Sequence, residues 1–345
     1  YSHRSMVLHS LGSALPDALN LSGRDVLLPV VPMFHVMAWG LPFTSVMMGT
    51  KLVMPGPHLD AVSLLDLYEG EKVTKTAGVP TIWMGVLGAL QKEPQRWKLE
   101  PMEMVVGGSA APEAMIRAFD QFNLTVLHAW GMTETSPLGS TSRVKRGLTG
   151  DLDTEYSYRA KQGLPSPLVE LRASSENGQV PWDGTTLGEL EIRGPWVAAS
   201  YYNLEAESDK WTADGWFRTG DVVAIDPEGY IRIADRTKDL IKSGGEWISS
   251  IDLENALMAH PAVKEAAVIA VPDPKWDERP LAAVVLKEGA SATPEELRAF
   301  LEPRFAKWWL PDAYAFVEEI PRTSTGKFMK AQLREQFKEY KVSAG

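Results

Sequence analysis

The stretch MEMVVGGSAAPEAMIRAFDQFNLTVLHA, residues 102–129, decides how this chain is to be read. MEMVV is a short, mostly apolar run that predicts a strand, and it stops at a turn of small residues, GGSAAP. Beyond the turn, Ala114, Met115, Ala118, Phe119 and Phe122 recur at helical spacing. Pro112 suits the opening turn of that helix, where its missing N–H costs nothing. LTVLHA then predicts a second strand. A strand–helix–strand unit of this kind belongs to an open α/β sheet, which binds ligands in the loops at the carboxyl ends of its strands.

Working outward, the texture changes at about residue 160. LGELEIRG, DVVAID and YIRIAD are short β segments separated by Gly, Pro and Asp turns, which predicts a β-rich subdomain up to residue 234. After Asp235, SSIDLENALMAH predicts a helix with a serine cap and an acidic first turn. AAVIAV and LAAVVL predict strands, and Thr293–Leu301 a helix opened by Pro294 with a Thr293/Glu296 capping box. AYAFVEEI is expected to be a further strand and KFMKAQLREQFKEY the closing helix. The charged segment ADRTKD, residues 234–239, fits an exposed hinge ahead of a small domain. Between Val26 and Thr50 there is no Asp, Glu, Lys or Arg, a length sufficient for a membrane span. Pro29, Pro32, Pro42, Gly40, Gly49 and His35 interrupt it, so buried strand and loop are expected instead.

The composition sets limits on function. The 345 residues, 44% hydrophobic and 23% charged, describe an ordinary globular chain, and the length suggests about two domains. A formal net charge of −10 argues against a broad nucleic-acid surface, which needs a basic field. The absence of cysteine excludes disulfides, thiol catalysis and cysteine-held metal centres, and fits a reducing compartment such as the cytoplasm. The chain opens on Tyr1 with no charged-then-apolar leader, and reads as a piece of something longer.

Five short motifs follow one another: GGSAAP (107–112), HAWGMTETSP (128–137), FRTGD (217–221), ADRTKDLIKSGGEWIS (234–249) and PRTSTGK (321–327). Singly, each has a plain structural explanation as a helix entry, a capping pair, a β-turn or a loop. The last could simply open a solvated basic face formed by Lys330, Arg334 and Lys338. In this order they resemble the adenylate-forming superfamily of acyl- and aryl-CoA synthetases, peptide-synthetase adenylation domains and firefly luciferase, over essentially the whole chain. VPMFHVMAW (31–39) and DRTKDLI (235–241) resemble most the fatty-acyl-CoA synthetase branch.

The resemblance implies an α/β fold with the remainder of a large N-terminal AMP-binding domain over residues 1–234. That domain combines an α/β sheet subdomain with a β-rich subdomain at about 160–234. A hinge at 235–238 and a small, mobile C-terminal α+β domain at 239–345 complete it. The implied activity joins a medium- or long-chain fatty acid to CoA using ATP and Mg2+: the carboxylate attacks the α-phosphate, pyrophosphate leaves, and the acyl group passes to the CoA thiol. An aryl-CoA ligase, an adenylation domain loading a carrier protein, and a non-catalytic nucleotide-binding module are the alternatives. A homodimer and a peripheral membrane association stay open.

The resemblance also distributes roles. Lys327 supplies positive charge to the carboxylate and α-phosphate, a need set by the meeting of two anions. Glu134 is the magnesium-binding acid and Thr133 the hydroxyl beside the phosphates. Trp130 stacks on adenine where the family commonly has tyrosine, with His128, Ala129, Gly108, Ser109 and Ala110 around the base. Asp221 holds the ribose hydroxyls with help from Arg236. Lys238 is the hinge residue. Gly244 and Gly245 let a pantetheine arm approach, and Lys242 and Trp247 face nucleotide. His35, Val36 and Trp39 border the acyl chain, Trp39 as the tunnel gate. The family's Ser/Thr/Gly-rich phosphate loop is expected just ahead of Tyr1, outside this sequence. A chain without it is expected to be inactive or impaired.

Overall fold

The structure is a computed structural model, which describes residues 1–204, 209–244, 246–323, 328–338 and 340. Its first sheet contains β1 (Val26–Pro29), β2 (Lys51–Leu52), β3 (Lys75–Gly78), β4 (Met102–Val106), β5 (Leu124–Gly131), β6 (Leu138–Thr141) and β7 (Leu164–Pro165). The spatial order is β2-β1-β3-β4-β5-β6-β7. Pairing is parallel from β2 through β5 and antiparallel at β5–β6 and β6–β7.

The two-residue period of a strand accounts for the burial on both faces. Met102, Met104 and Val106 of β4, with Leu124 and Val126 of β5, enter one apolar cluster. Val105, Leu127 and Ala129 enter another on the opposite side. Helix Glu113–Asp120 closes the first face by burying Met115, Ile116 and Phe119, each worth about 1.5–3 kcal/mol of transfer free energy. Pro112 is its N-cap, one position earlier than a first helical turn.

The apolar stretch from Val26 departs from the expected buried strand and loop in two respects: Met33, Phe34, Phe43, Val46 and Met47 are exposed, and Leu41–Met48 is a helix. Its Pro42 stands in the first turn, where no backbone donor is required, and Gly49, at φ 71°, ends it in the left-handed region. Among the described residues no helix is long and apolar enough to cross a membrane.

A second sheet contains β8 (Glu170–Ser175), β9 (Gly178–Gln179), β10 (Gly188–Arg193), β11 (Phe217–Ile225) and β12 (Ile231–Arg236), in the order β12-β11-β10-β8-β9. Its core contains Leu190, Ile192, Trp196, Phe217, Val223, Ile225 and Ile231.

The chain divides into two compact units, one comprising residues 1–219 and 223–233, the other 220–222 and 234–345. In the second unit β13 (Ile241–Ser243), β14 (Glu246–Ile248), β15 (Val263–Asp273), β16 (Asp277–Leu286) and β17 (Ala313–Phe316) form a sheet. Its order is β14-β13-β16-β15, with β17 parallel to β16. Helices Ser250–Met258 and Pro294–Leu301 contribute to the cluster holding Ala266, Val268, Ala282 and Val284. Ile320 and Leu333 join the cluster of alternate residues Ala267, Ile269, Leu281 and Ala283. Cover on both faces explains why AAVIAV and LAAVVL are continuously apolar. Ser249 accepts from Asp252 N, and the Thr293/Glu296 capping box is complete. AYAFVEEI is a strand only to Phe316, and the closing helix is Lys330–Gln336.

Candidate active site

In the first unit the small-residue turn leaves β4 with Gly108 and Ser109 exposed and Ala110 half-buried. Gly108 has φ 82°, a conformation that favours glycine and exposes backbone amides at a strand end. His128 lies one strand over and is fully buried. Its Nδ1 is 3.0 Å from the Ala160 carbonyl. Burial pushes its pKa down to about 4, so the ring is neutral where it meets the Ala160 carbonyl. Ala129 is buried in the sheet core.

Trp130 differs from expectation. Its indole is buried in the core of the second sheet, and its six-membered ring lies so close to Gly139 that a Cβ there would approach it to 2.4 Å. An indole clamped in that way fixes β5 and is not presented as an open platform for a base.

Thr133–Thr135 form a single 3-10 turn beyond β5, with Thr133 exposed and Glu134 half-buried. The turn is held by a distant segment. Ser136 Oγ donates to the Trp196 carbonyl at 2.8 Å, and Trp196 Nε1 donates to the Leu138 carbonyl at 2.9 Å. Ala198 N–H donates to the Glu134 carbonyl at 2.7 Å, and the Tyr201 phenol donates to Glu134 Oε1 at 2.6 Å. On another side, the Tyr1 phenol donates to the Thr133 carbonyl at 2.6 Å, and its pKa is raised by burial and by the Glu134 charge.

Buried His9 also supports this turn: its Nε2 accepts from Leu138 N at 3.2 Å, so the proton sits on Nδ1. The ring packs against Gly40, where a Cβ would lie 2.8 Å from it. Burial lowers its pKa to about 4. Both His9 and His128 therefore have folded-state pKa values below the unfolded value near 6.5. Their contribution to stability is complete above pH 6.5 and is lost as the pH falls towards 4. We expect the unfolding free energy of the first unit to decline with a slope approaching two protons over that interval. Denaturant unfolding at a series of pH values measures it, and a flat profile would contradict the assignment.

Gly40 terminates an unusual segment. Val36, Met37, Ala38 and Trp39 have φ of 47°, 52°, 49° and 58°, a left-handed helical turn of non-glycine residues. Such a conformation costs roughly 1–2 kcal/mol per residue. It buries Val36 and leaves His35 and Trp39 half-buried. The Trp39 ring lies flush against Gly107, with an ideal Cβ there 3.0 Å from it, so the VPMFHVMAW segment and the GGS turn meet directly.

In the second unit Asp221 is buried, with Arg236 Nε 2.6 Å from its Oδ1. Thr237 N–H and Oγ1 both donate to the Gly220 carbonyl, fixing the chain just after β12. Lys238 and Lys242 are exposed, and Trp247 is partly so. Gly244, φ 60°, lies against the Trp276 ring at 2.8 Å from an ideal Cβ. Gly245 and Lys327 lie outside the described residues.

Glu134 and Thr133 offer hard oxygen donors suited to Mg2+, which typically takes one or two carboxylates and completes its shell with substrate phosphates. Among the described residues there is no cluster of three or more His, Cys, Asp or Glu able to hold a metal alone. Sequence reasoning did not find Tyr201, Trp196, His9 or the left-handed turn. Tyr201 is 67 residues from Glu134, with no spacing rule to connect them.

Residues 1–202 match the family described as AMP-binding enzyme, and residues 252–327 match AMP-binding enzyme C-terminal domain. A long-chain-fatty-acid–CoA ligase of Thermus thermophilus is 55% identical over 344 residues, covering 99% of this chain and 63% of that protein. A medium-chain-fatty-acid–CoA ligase of Ectopseudomonas oleovorans is 48% identical, covering 98% of this chain and 62% of its own length. Among solved structures, the O-succinylbenzoate Coenzyme A synthetase of Bacillus subtilis in complex with AMP matches with TM-score 0.81 and 27% identity. That match covers 96% of this chain and 65% of that one. The chain thus spans less than two thirds of the length of these proteins.

Proposed function

The chain belongs to the AMP-binding enzyme family, and on that premise we propose that the protein is an AMP-forming fatty-acid–CoA ligase acting on medium- or long-chain acids. The observation that carries this reading is 55% and 48% identity to two fatty-acid–CoA ligases along nearly the whole chain. The substrates are ATP, the fatty acid and CoA, with Mg2+ neutralising phosphate charge when bound.

The chain's own residues supply orientation. The backbone of Gly108 and Ser109 lines the nucleotide, and Thr133 and Glu134 face the phosphates. Asp221 and Arg236 hold the ribose. A carboxylate accepts from both sugar hydroxyls, while Arg236, 2.6 Å from Oδ1, keeps that carboxylate aimed. Trp39, seated on Gly107, sets the position of the acyl chain relative to the reacting carboxylate. Lys327 offsets the repulsion between two anionic reactants and stabilises charge developing on the α-phosphate. Residues 235–238 act as the hinge of a mobile C-terminal domain that comprises residues 239–345, and a pantetheine arm approaches Gly244 and Gly245.

The full-length protein tests this with a panel of straight-chain and aromatic acids. CoA-dependent AMP release and acyl-CoA formation are expected to be greatest with medium or long straight chains. A preference for aromatic acids, or acyl transfer to a carrier protein without free CoA, would replace the proposal.

A further inference from the structure

We infer that Tyr201 is a positioning residue for the metal-binding carboxylate, a conclusion resting on the reading of Glu134 given above. The segment GPWVAASY, residues 194–201, runs alongside the turn that carries Glu134. Three of its contacts fix the backbone of that turn: Ser136 Oγ to the Trp196 carbonyl, Trp196 Nε1 to the Leu138 carbonyl, and Ala198 N–H to the Glu134 carbonyl. None of these constrains the Glu134 side chain, which is half-buried and has three rotatable bonds of its own.

The Tyr201 phenol does constrain it. At 2.6 Å it donates to Oε1 and leaves Oε2 without a claim from that hydroxyl. The phenol is itself held, because the Tyr201 ring packs edge-on against Trp211 with centroids 5.3 Å apart, and Trp211 Nε1 donates to the Ala198 carbonyl at 2.9 Å. One oxygen is thus tethered, and the other would be left to serve a hard cation such as Mg2+. This is the arrangement by which groups behind a metal ligand raise its affinity.

Tyr201→Phe in the full-length protein separates this role from simple packing, since the ring and its contact with Trp211 remain. The measurement is ATP affinity by calorimetry with and without Mg2+, together with the Mg2+ concentration giving half-maximal acid-dependent ATP–pyrophosphate exchange. The expected result is an unchanged metal-free ATP affinity and a loss of about 10-fold in the Mg2+-dependent gain. The half-saturating Mg2+ concentration should rise by about the same factor, with the rate at saturating Mg2+ largely restored. An unchanged or lower Mg2+ requirement, a rate loss that Mg2+ does not relieve, or a variant that melts several degrees early would each overturn the inference. Glu134→Gln run alongside tests the underlying reading: a Gln variant that keeps the Mg2+-dependent gain refutes the role of Glu134. If that gain is lost while Tyr201→Phe behaves as the parent, only the role of Tyr201 is refuted.

Discussion

Substituting Lys330 by methionine is expected to cost the second unit about 3–5 kcal/mol of unfolding free energy, the range for breaking a buried ion pair from one side. Lys330 Nζ is 2.6 Å from Glu254 Oε1 and 2.5 Å from Ser250 Oγ, with side-chain exposures of only 11% and 9% for the ion pair. Burial by itself would lower the ammonium pKa, but the charges of Glu254 and Asp235 outweigh it and hold the value above that of an ordinary lysine. Burial pushes both carboxylates up, and Lys330 opposes that rise. Two acids therefore share one cation. Each is also a backbone acceptor: Glu254 takes Val268 N–H and Asp235 takes Ser250 N–H, both at 2.7 Å. Methionine preserves most of the aliphatic stem and leaves the negative charges uncompensated. Urea unfolding followed by tryptophan fluorescence measures the loss, and adding Glu254→Gln to Lys330→Met should recover part of it. A loss below about 1 kcal/mol, the range of an exposed pair, would show that the network is solvated.

Lys327→Ala in the full-length protein is expected to slow adenylation by about 10²–10³-fold, the effect of removing one group that stabilises developing charge. A carboxylate approaching a phosphate meets repulsion of about 1–4 kcal/mol at 4 Å in surroundings between water and a protein surface. A flexible ammonium relieves that repulsion. Arginine should restore little, because its planar fork does not reproduce a compact point charge. Thioester formation from pre-formed acyl-adenylate should fall much less, since the phosphate has by then already reacted. Comparing ATP–pyrophosphate exchange with that second half-reaction tests both points. Unchanged exchange would return Lys327 to the role of a solvated surface residue.

The contrast between these two lysines shows how far sequence reasoning reaches. Lys330, Arg334 and Lys338 share a helical face by spacing alone, which is compatible with a solvated basic stripe. In the fold only Lys338 fits that description. Lys330 is inserted between Glu254 and Ser250, and Arg334 pairs with Asp239 at 2.6 Å. The partners come from residues 80 and 95 positions away, and helical periodicity carries no information about what such a face will meet. Trp130 makes the same point from the other side. The resemblance implies a ring stacked on adenine, whereas β5 turns it into the core against Gly139.

What the residues determined unaided were the features governed by neighbours along the chain. These are the strand-turn-helix at 102–120, the caps at Ser249 and Thr293, and the doubly apolar strands of the second unit. Caps, turns and burial periodicity act over a few residues, so a linear reading captures them. Only the tertiary structure decided that Tyr201 would grip Glu134, that His9 would support Leu138, that Trp39 would rest on Gly107, and that residues 36–39 would wind left-handed. Each depends on atoms brought together across many intervening residues, where directional bonds and close packing, rather than local preference, fix the outcome.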